Sequence, residues 1–158
     1  MVFKELMKDF ARRVGAEELE KDEEGVRRVA VDDMVLFFRE VVETDEVLTW
    51  AEVCELPPGD RDRLCRVLLE AQFMGQSTQG SMFSIDAGSS RVYLHRLDPL
   101  KLLDADAFFA VVERFVNVLE QWRRLIQDFR AAPAEDASNA ASAPEASPGF
   151  GSDAFLRV

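Results

Sequence analysis

The sequence is poor in the residue types that catalysis and metal binding most often use: it has one histidine, His95, and two cysteines, Cys54 and Cys65. Neither cysteine lies in a C-x-x-C pair or beside a plausible set of ligands, which argues against a zinc site or a thiol redox motif. Both are read as reduced, small core hydrophobes, as expected of a chain that stays in the cytoplasm where it is made. Long apolar runs are lacking too. Nothing approaches the ~20 residues of a membrane helix, and the opening MVFKELMKDF is amphipathic rather than a signal peptide. Positive charge is also in deficit. Nineteen Lys and Arg against 30 Asp and Glu give a formal charge of -11, which disfavours nucleic acid and anionic lipid as partners, because both are held by cations that displace counterions.

What is present is enough apolar residue, 47% of 158, to fill the core of one domain. The composition shifts near residue 131 to AAPAEDASNAASAPEASPGFGSD, a run too poor in apolar periodicity to offset its own ordering entropy. Residues 1–130 are therefore read as the folded domain and 131–158 as an Ala/Ser/Pro-rich flexible tail. The tail holds four acids and one base, leaving a net charge of -8 on the domain. Its last residues, Ala154, Phe155, Leu156, Arg157 and Val158, turn apolar again.

Within the domain, Phe3, Leu6, Met7, Phe10 and Val14 recur at three and four residues, which predicts a helix that Gly15 can end. An acidic linker follows. Residues 26–31, 34–43 and 47–56 are rich in Val, Phe, Thr and Trp and read as consecutive antiparallel strands. The middle strand is apolar on both faces, so it is either central or a docking surface. Pro57, Pro58 and Gly59 end that run, and Asp60 is placed to cap a second helix bearing Leu64, Val67, Leu68 and Ala71. Residues 81–86 and 91–96, joined by Ala-Gly-Ser-Ser, predict a hairpin. Asp104 opens a long helix on which Phe108, Val111, Val112, Phe115, Val118, Leu119, Trp122, Leu125, Ile126 and Phe129 keep helical spacing. The expected fold is α+β in the order α-β-β-β-α-β-β-α, which excludes an alternating doubly wound sheet.

Candidate chemistry is thin. Gly75-Gln-Ser-Thr-Gln-Gly80 superficially resembles a phosphate loop but lacks the lysine after its second glycine and follows a helix, so it reads as a flexible polar connector. His95 reads as a surface or edge-strand residue without a nucleophile or ligand set. The acids at 17, 18, 20, 22, 23 and 24 have no calcium-loop spacing and read as solvated; Asp32 and Asp33 read as a turn. No catalytic residue, metal ligand or cofactor is expected. Apolar residues in excess of a core point instead to protein contact.

Three places carry a resemblance to a known family: LLEAQFMGQSTQGSMFSIDAGSSRVYLHRLDPL, with its Leu-rich helix, glycine-containing connector and hairpin; LDADAFFAVVERFVNVLEQWRRL, with Phe115, Val116 and Trp122; and the element order from Phe3 to Arg130. Here the chain resembles the class I type III secretion chaperones, the group of the translocated intimin receptor chaperone. The resemblance implies a non-enzymatic, homodimeric chaperone of the bacterial cytoplasm. It would bind the N-terminal segment of a secreted effector or translocator, with no nucleotide or metal, and keep it soluble and fit for secretion. The secretion ATPase is a further partner that the resemblance leaves open. By similarity the effector would lie on Phe3, Leu6, Met7, Phe10, Val35, Phe37, Val41 and Trp50. The dimer seam would use Leu64, Leu68, Ala71, Met82 and Phe83. An adaptor or regulatory domain of the same fold, binding folded partners, is the alternative. The tail departs from the family pattern; it reads either as an inert solubilising segment or as a plug whose apolar end occupies the effector groove.

Overall fold

The computed structural model describes residues 2–131, so the expected tail at 131–158 lies, beyond Ala131, outside the described residues. The predicted order holds, with one small addition. Helix α1 (Phe3–Arg13) is followed by a two-residue strand β1 (Glu20–Lys21), then β2 (Arg27–Val31), β3 (Met34–Val41) and β4 (Glu46–Glu55). Helix α2 (Arg61–Gln72), the hairpin strands β5 (Met82–Asp86) and β6 (Arg91–Pro99), and helix α3 (Ala105–Ala131) complete the fold. The six strands form one antiparallel sheet in the order β1-β2-β3-β4-β6-β5. β1 arises within the acidic run that the sequence suggests is linker; Glu20 and Lys21 pair with Arg28 and Arg27.

Local signals explain most of the boundaries. At the end of α1, Gly15 adopts φ +79°, its N–H donates to Arg12 O, and the Ala16 N–H reaches back to Ala11 O. This double closure satisfies carbonyls of the last turn and needs the left-handed conformation that glycine enters without cost. Asp104 caps α3 as expected, its Oδ1 accepting the Ala107 N–H at 2.8 Å. Asp60 does not cap α2 through its side chain: only its carbonyl accepts, from the Leu64 N–H, while its carboxylate lies 3.9 Å from Arg63. Asp32 and Asp33 make the tight β2–β3 turn, with Asp32 at φ +52°.

Period-two alternation sorts the sheet into two faces. Met34, Leu36 and Phe38 of β3, Val47, Thr49, Ala51 and Val53 of β4, and Val92 and Leu94 of β6 point inward and are buried. α1 and α3 cover this face. Phe10 meets Phe38 and Phe108 edge-on, both at 5.4 Å between ring centroids, and Phe38 meets Phe108 at 5.8 Å. α3 supplies Phe108, Val111, Val112, Phe115, Val118, Leu119, Trp122 and Ile126 to the same core. β3, flanked by β2 and β4, is thus one of the two central strands of the six, as its two apolar faces suggest.

The 76–80 connector is not the free polar loop expected from sequence. Thr78 is fully buried, the Trp122 indole N–H donates to Ser77 O at 3.0 Å, and the Ser81 N–H donates to Thr78 O. An indole that sinks into the core needs an acceptor, and the connector's backbone provides it. One charged pair is also taken inside: Arg96 donates to Asp98 through Nε and Nη2, at 2.6 and 2.5 Å, on the inner face of β6.

Candidate binding site

The opposite face of the sheet is built from the other half of the alternation. In register, Arg28 of β2, Phe37 of β3, Trp50 of β4, His95 of β6 and Met82 of β5 form one transverse row. Ala30 and Val35 pair in the next row, with Tyr93 and Ser84 paired across β6 and β5; Leu48 pairs with Arg39 and Leu97 in the row on the other side. Phe37 and Trp50 stack with ring centroids 5.3 Å apart at 16°. Val35, Leu97 and Met82 are 43%, 40% and 39% exposed, and Phe37, Val41, Leu48, Trp50, Tyr93 and His95 are half-buried. Among the described residues no helix lies over these rows. A contiguous apolar and aromatic strip on an uncovered sheet is characteristic of a protein contact.

The strip continues to an open edge. β1 pairs only with Arg27 and Arg28, so residues 29–31 of β2 have no strand beyond them among the described residues. A cleft of about 380 Å³ wraps around this edge, lined by Ala16, Leu19, Val29, Ala30 and Val35, with Glu18, Glu20 and Arg28 at its rim. Unpaired backbone beside apolar pockets can take an added strand from another polypeptide.

The expected site residues divide accordingly. Val35, Phe37, Val41 and Trp50 come together on the outer face. Phe3, Leu6, Met7 and Phe10 do not join them: all four are at most 5% exposed and packed into the protein's own core. The reading that α1 has apolar side chains to spare is therefore corrected, because these four are the face by which α1 adheres to the sheet and α3. A similar correction applies to α2. Leu64 and Leu68 are core residues, and half-buried Phe83 meets Trp122 edge-on at 5.2 Å. Ala71 is half-buried and Met82 lies on the outer face. The apolar residues that α2 and the turn after it do present are Leu69, Phe73 and Met74, which are 69%, 76% and 76% exposed. Met74 sits there at φ +57°, in the kinked turn that follows α2. Leu48, Tyr93 and Leu97 also escaped the sequence reading; the two-residue period from Trp50 and His95 would have found them.

His95 lies on an interior strand, not at an edge, and Ser84 Oγ is 3.2 Å from its Nδ1. Desolvation holds its pKa below the usual histidine value. Cys54, past a bulge in β4, is partly buried and packs against the core opposite Val92; burial, against the lowering influence of Arg130, raises its thiol pKa, which is the direction of an inert thiol. Cys65 is also free and partly buried. Among the described residues no three His, Cys, Asp or Glu side chains gather as a metal site, and no helix is long and apolar enough to cross a membrane.

The architecture is that of an α+β protein whose sheet leaves an apolar face without a helix over it among the described residues. The sequence pattern of the Tir chaperone protein (CesT) family matches residues 5–123, and the chain belongs to that family. No curated protein sequence matches it. Among solved structures it resembles a chain of the ExsC-ExsE complex, with 24% identity, TM-score 0.66, and coverage of 77% of this chain and 90% of that one. A chain of the HopA1-SchA chaperone-effector complex matches with 20% identity and TM-score 0.60, covering 78% and 91%. The heterodimeric ExoU-SpcU complex from the type III secretion system of Pseudomonas aeruginosa gives 17% identity and TM-score 0.57, covering 79% and 95%. The fold is thus that of the type III secretion chaperones, and the expected α+β class and family both hold.

Proposed function

We propose that this protein is a type III secretion chaperone that captures an extended N-terminal segment of a secreted client and keeps it soluble and fit for export. The observation that carries the reading is the division of the sheet. Its inner face is filled by α1 and α3, while its outer face presents Val35, Phe37, Leu48, Trp50, Tyr93 and Leu97 with no helix over them among the described residues. A client segment pairing with the open edge of β2 would place alternate side chains in the adjoining cleft and on the outer face. Backbone bonds would then give affinity and pocket shape selectivity. Family membership and the complexes formed by the structural relatives support the same direction. Nothing in this role asks for a reactive group.

The working unit in this proposal is a homodimer in the cytoplasm, joined through Leu69, Phe73, Met74 and Met82 rather than through the core residues Leu64 and Leu68. Capture is tested by co-expressing the chain with the larger protein encoded beside its gene. The native chain brings that protein into the soluble fraction, and Val35→Asp or Trp50→Glu loses it while retaining native circular dichroism. Equal capture by all three would overturn the outer-face site. Sedimentation of the native chain against a Phe73→Asp, Met74→Asp variant tests the dimer; unchanged mass would remove the proposed seam.

A further inference from the structure

The open edge of β2 has apolar surface on both of its faces: Val29 and Val31 on the helix side, Ala30 and its neighbour Val35 on the other. A strand that completes this edge must therefore offer apolar side chains in both directions. Few segments of this sequence beyond the domain do so. From 132 to 153 the chain is dominated by Ala, Ser, Pro and acids, but it ends in Ala154-Phe155-Leu156-Arg157-Val158. In an extended conformation Ala154, Leu156 and Val158 share one face, and Phe155 and Arg157 the other. The segment also has the β-favouring, non-acidic composition of a strand, and its Arg157, a base of the tail, is opposite in charge to Glu18 and Glu20, which line the cleft and are ion-paired there with Arg27 and Arg28.

The fold brings the start of the tail to the right place. Arg123 of α3 reaches the β2–β3 turn, where it donates to Asp33 O at 3.4 Å and meets the Asp33 carboxylate at 3.1 Å. Eight further residues of helix advance about 12 Å, so α3 ends within roughly 20 Å of the turn at which β2 ends. The connecting residues 132–153 can span up to about 70 Å when extended. Reach is thus in ample excess. Tethering at such a distance gives an effective concentration on the order of 1 mM, enough to half-occupy a site whose intrinsic dissociation constant is ~1 mM.

From this arrangement we infer that residues 154–158 are an internal ligand of the chaperone: they add as a strand to residues 29–31 of β2, fill the cleft beside Leu19 and Val35, and must be displaced by a client. This inference rests on the proposed capture site and adds its regulation. The tail acts as a competitor that covers an aggregation-prone edge when no client is bound and lowers client affinity about 2-fold.

The test uses the full chain. A photo-crosslinking phenylalanine analogue at position 155 is expected to join peptides containing Leu19, residues 29–31 or Val35, within one molecule when heavy- and light-isotope chains are mixed. A fluorescein-labelled peptide of residues 150–158 is then titrated onto the native chain and onto Phe155→Asp, Leu156→Asp. The variant is expected to bind the peptide about 2-fold more tightly, because its own tail no longer competes; both substitutions lie outside the described domain and leave its circular dichroism unchanged. Crosslinks that map elsewhere, crosslinks only between copies, or equal peptide affinity would each overturn the inference. Capture of the co-expressed client separates the two readings. Capture retained without tail crosslinks strikes only the internal ligand, whereas a client that neither native nor substituted chain retains strikes the capture site itself.

Discussion

Phe37 and Phe38 are neighbours in sequence with the same side chain, and the fold gives them opposite tasks. Phe38 is fully buried and packed edge-on against Phe10 and Phe108. Phe37 stacks on Trp50 on the uncovered face. Removing Phe38 leaves a cavity the size of a ring in a core that relaxes only partly, and Phe→Ala at such sites costs about 3–5 kcal/mol. Against a total stability of roughly 5–15 kcal/mol, that is about a fifth or more of the whole. Phe37→Ala loses one stacked pair and modest area, about 1 kcal/mol. Urea unfolding followed by far-ultraviolet circular dichroism should therefore show Phe38→Ala with a markedly lower midpoint and Phe37→Ala close to native, with thermal midpoints separated by roughly 6–12 °C at ~3 °C per kcal/mol. Client capture should reverse the ranking at temperatures where both variants are folded: Phe37→Ala weakened, Phe38→Ala retained. Equal destabilisation by the two would mean that the outer face is covered in the native protein, and the assignment of that face to a partner would fall.

Further outcomes follow from the same geometry. Asp98→Ala leaves the Arg96 guanidinium buried without its partner and should cost about 3–5 kcal/mol in urea unfolding, while Arg96→Met combined with Asp98→Leu should restore much of it; an additive double mutant would contradict the pairing. Asp104→Ala should cost about 1 kcal/mol through loss of its cap on α3, and Asp60→Ala clearly less, since its carboxylate caps nothing. Because the folded-state pKa of His95 lies below its unfolded value, the unfolded chain binds more protons. Stability is therefore full above the unfolded pKa, about 6.5, and declines as pH falls from there through the folded pKa. His95→Gln should flatten this part of a stability-pH profile, and an unchanged slope would refute the assignment.

Read from residues alone, the order of elements was already visible. Apolar spacing of three and four marked α1 and α3, Gly15 and Asp104 marked an end of each, and the turns at Asp32-Asp33, Thr44-Asp45-Glu46, Pro57-Pro58-Gly59 and Ala-Gly-Ser-Ser separated the elements between. The candidate site was half legible. β3 announced two apolar faces, but alternation by itself does not say which face a helix will cover, so Val35, Phe37, Val41 and Trp50 were named without their companions Leu48, Tyr93 and Leu97. For α1 the error had a physical cause. An amphipathic stripe looks the same whether it docks on its own sheet or on another protein, and the difference lies in whether Phe38 and Phe108 stand opposite it.

Local chemistry thus determined by sequence the helices, the strands, the turns, the acidic surface and the family to which the chain belongs, because spacing, capping and turn preferences act over a few residues. Tertiary structure alone decided which apolar residues are consumed by the core and which remain outside, since that depends on strand order and on the side of the sheet where α1 and α3 settle. Phe3 and Leu64 went inward, Trp50 and Phe73 stayed available, and β2 kept an open edge because β1 is only two residues long.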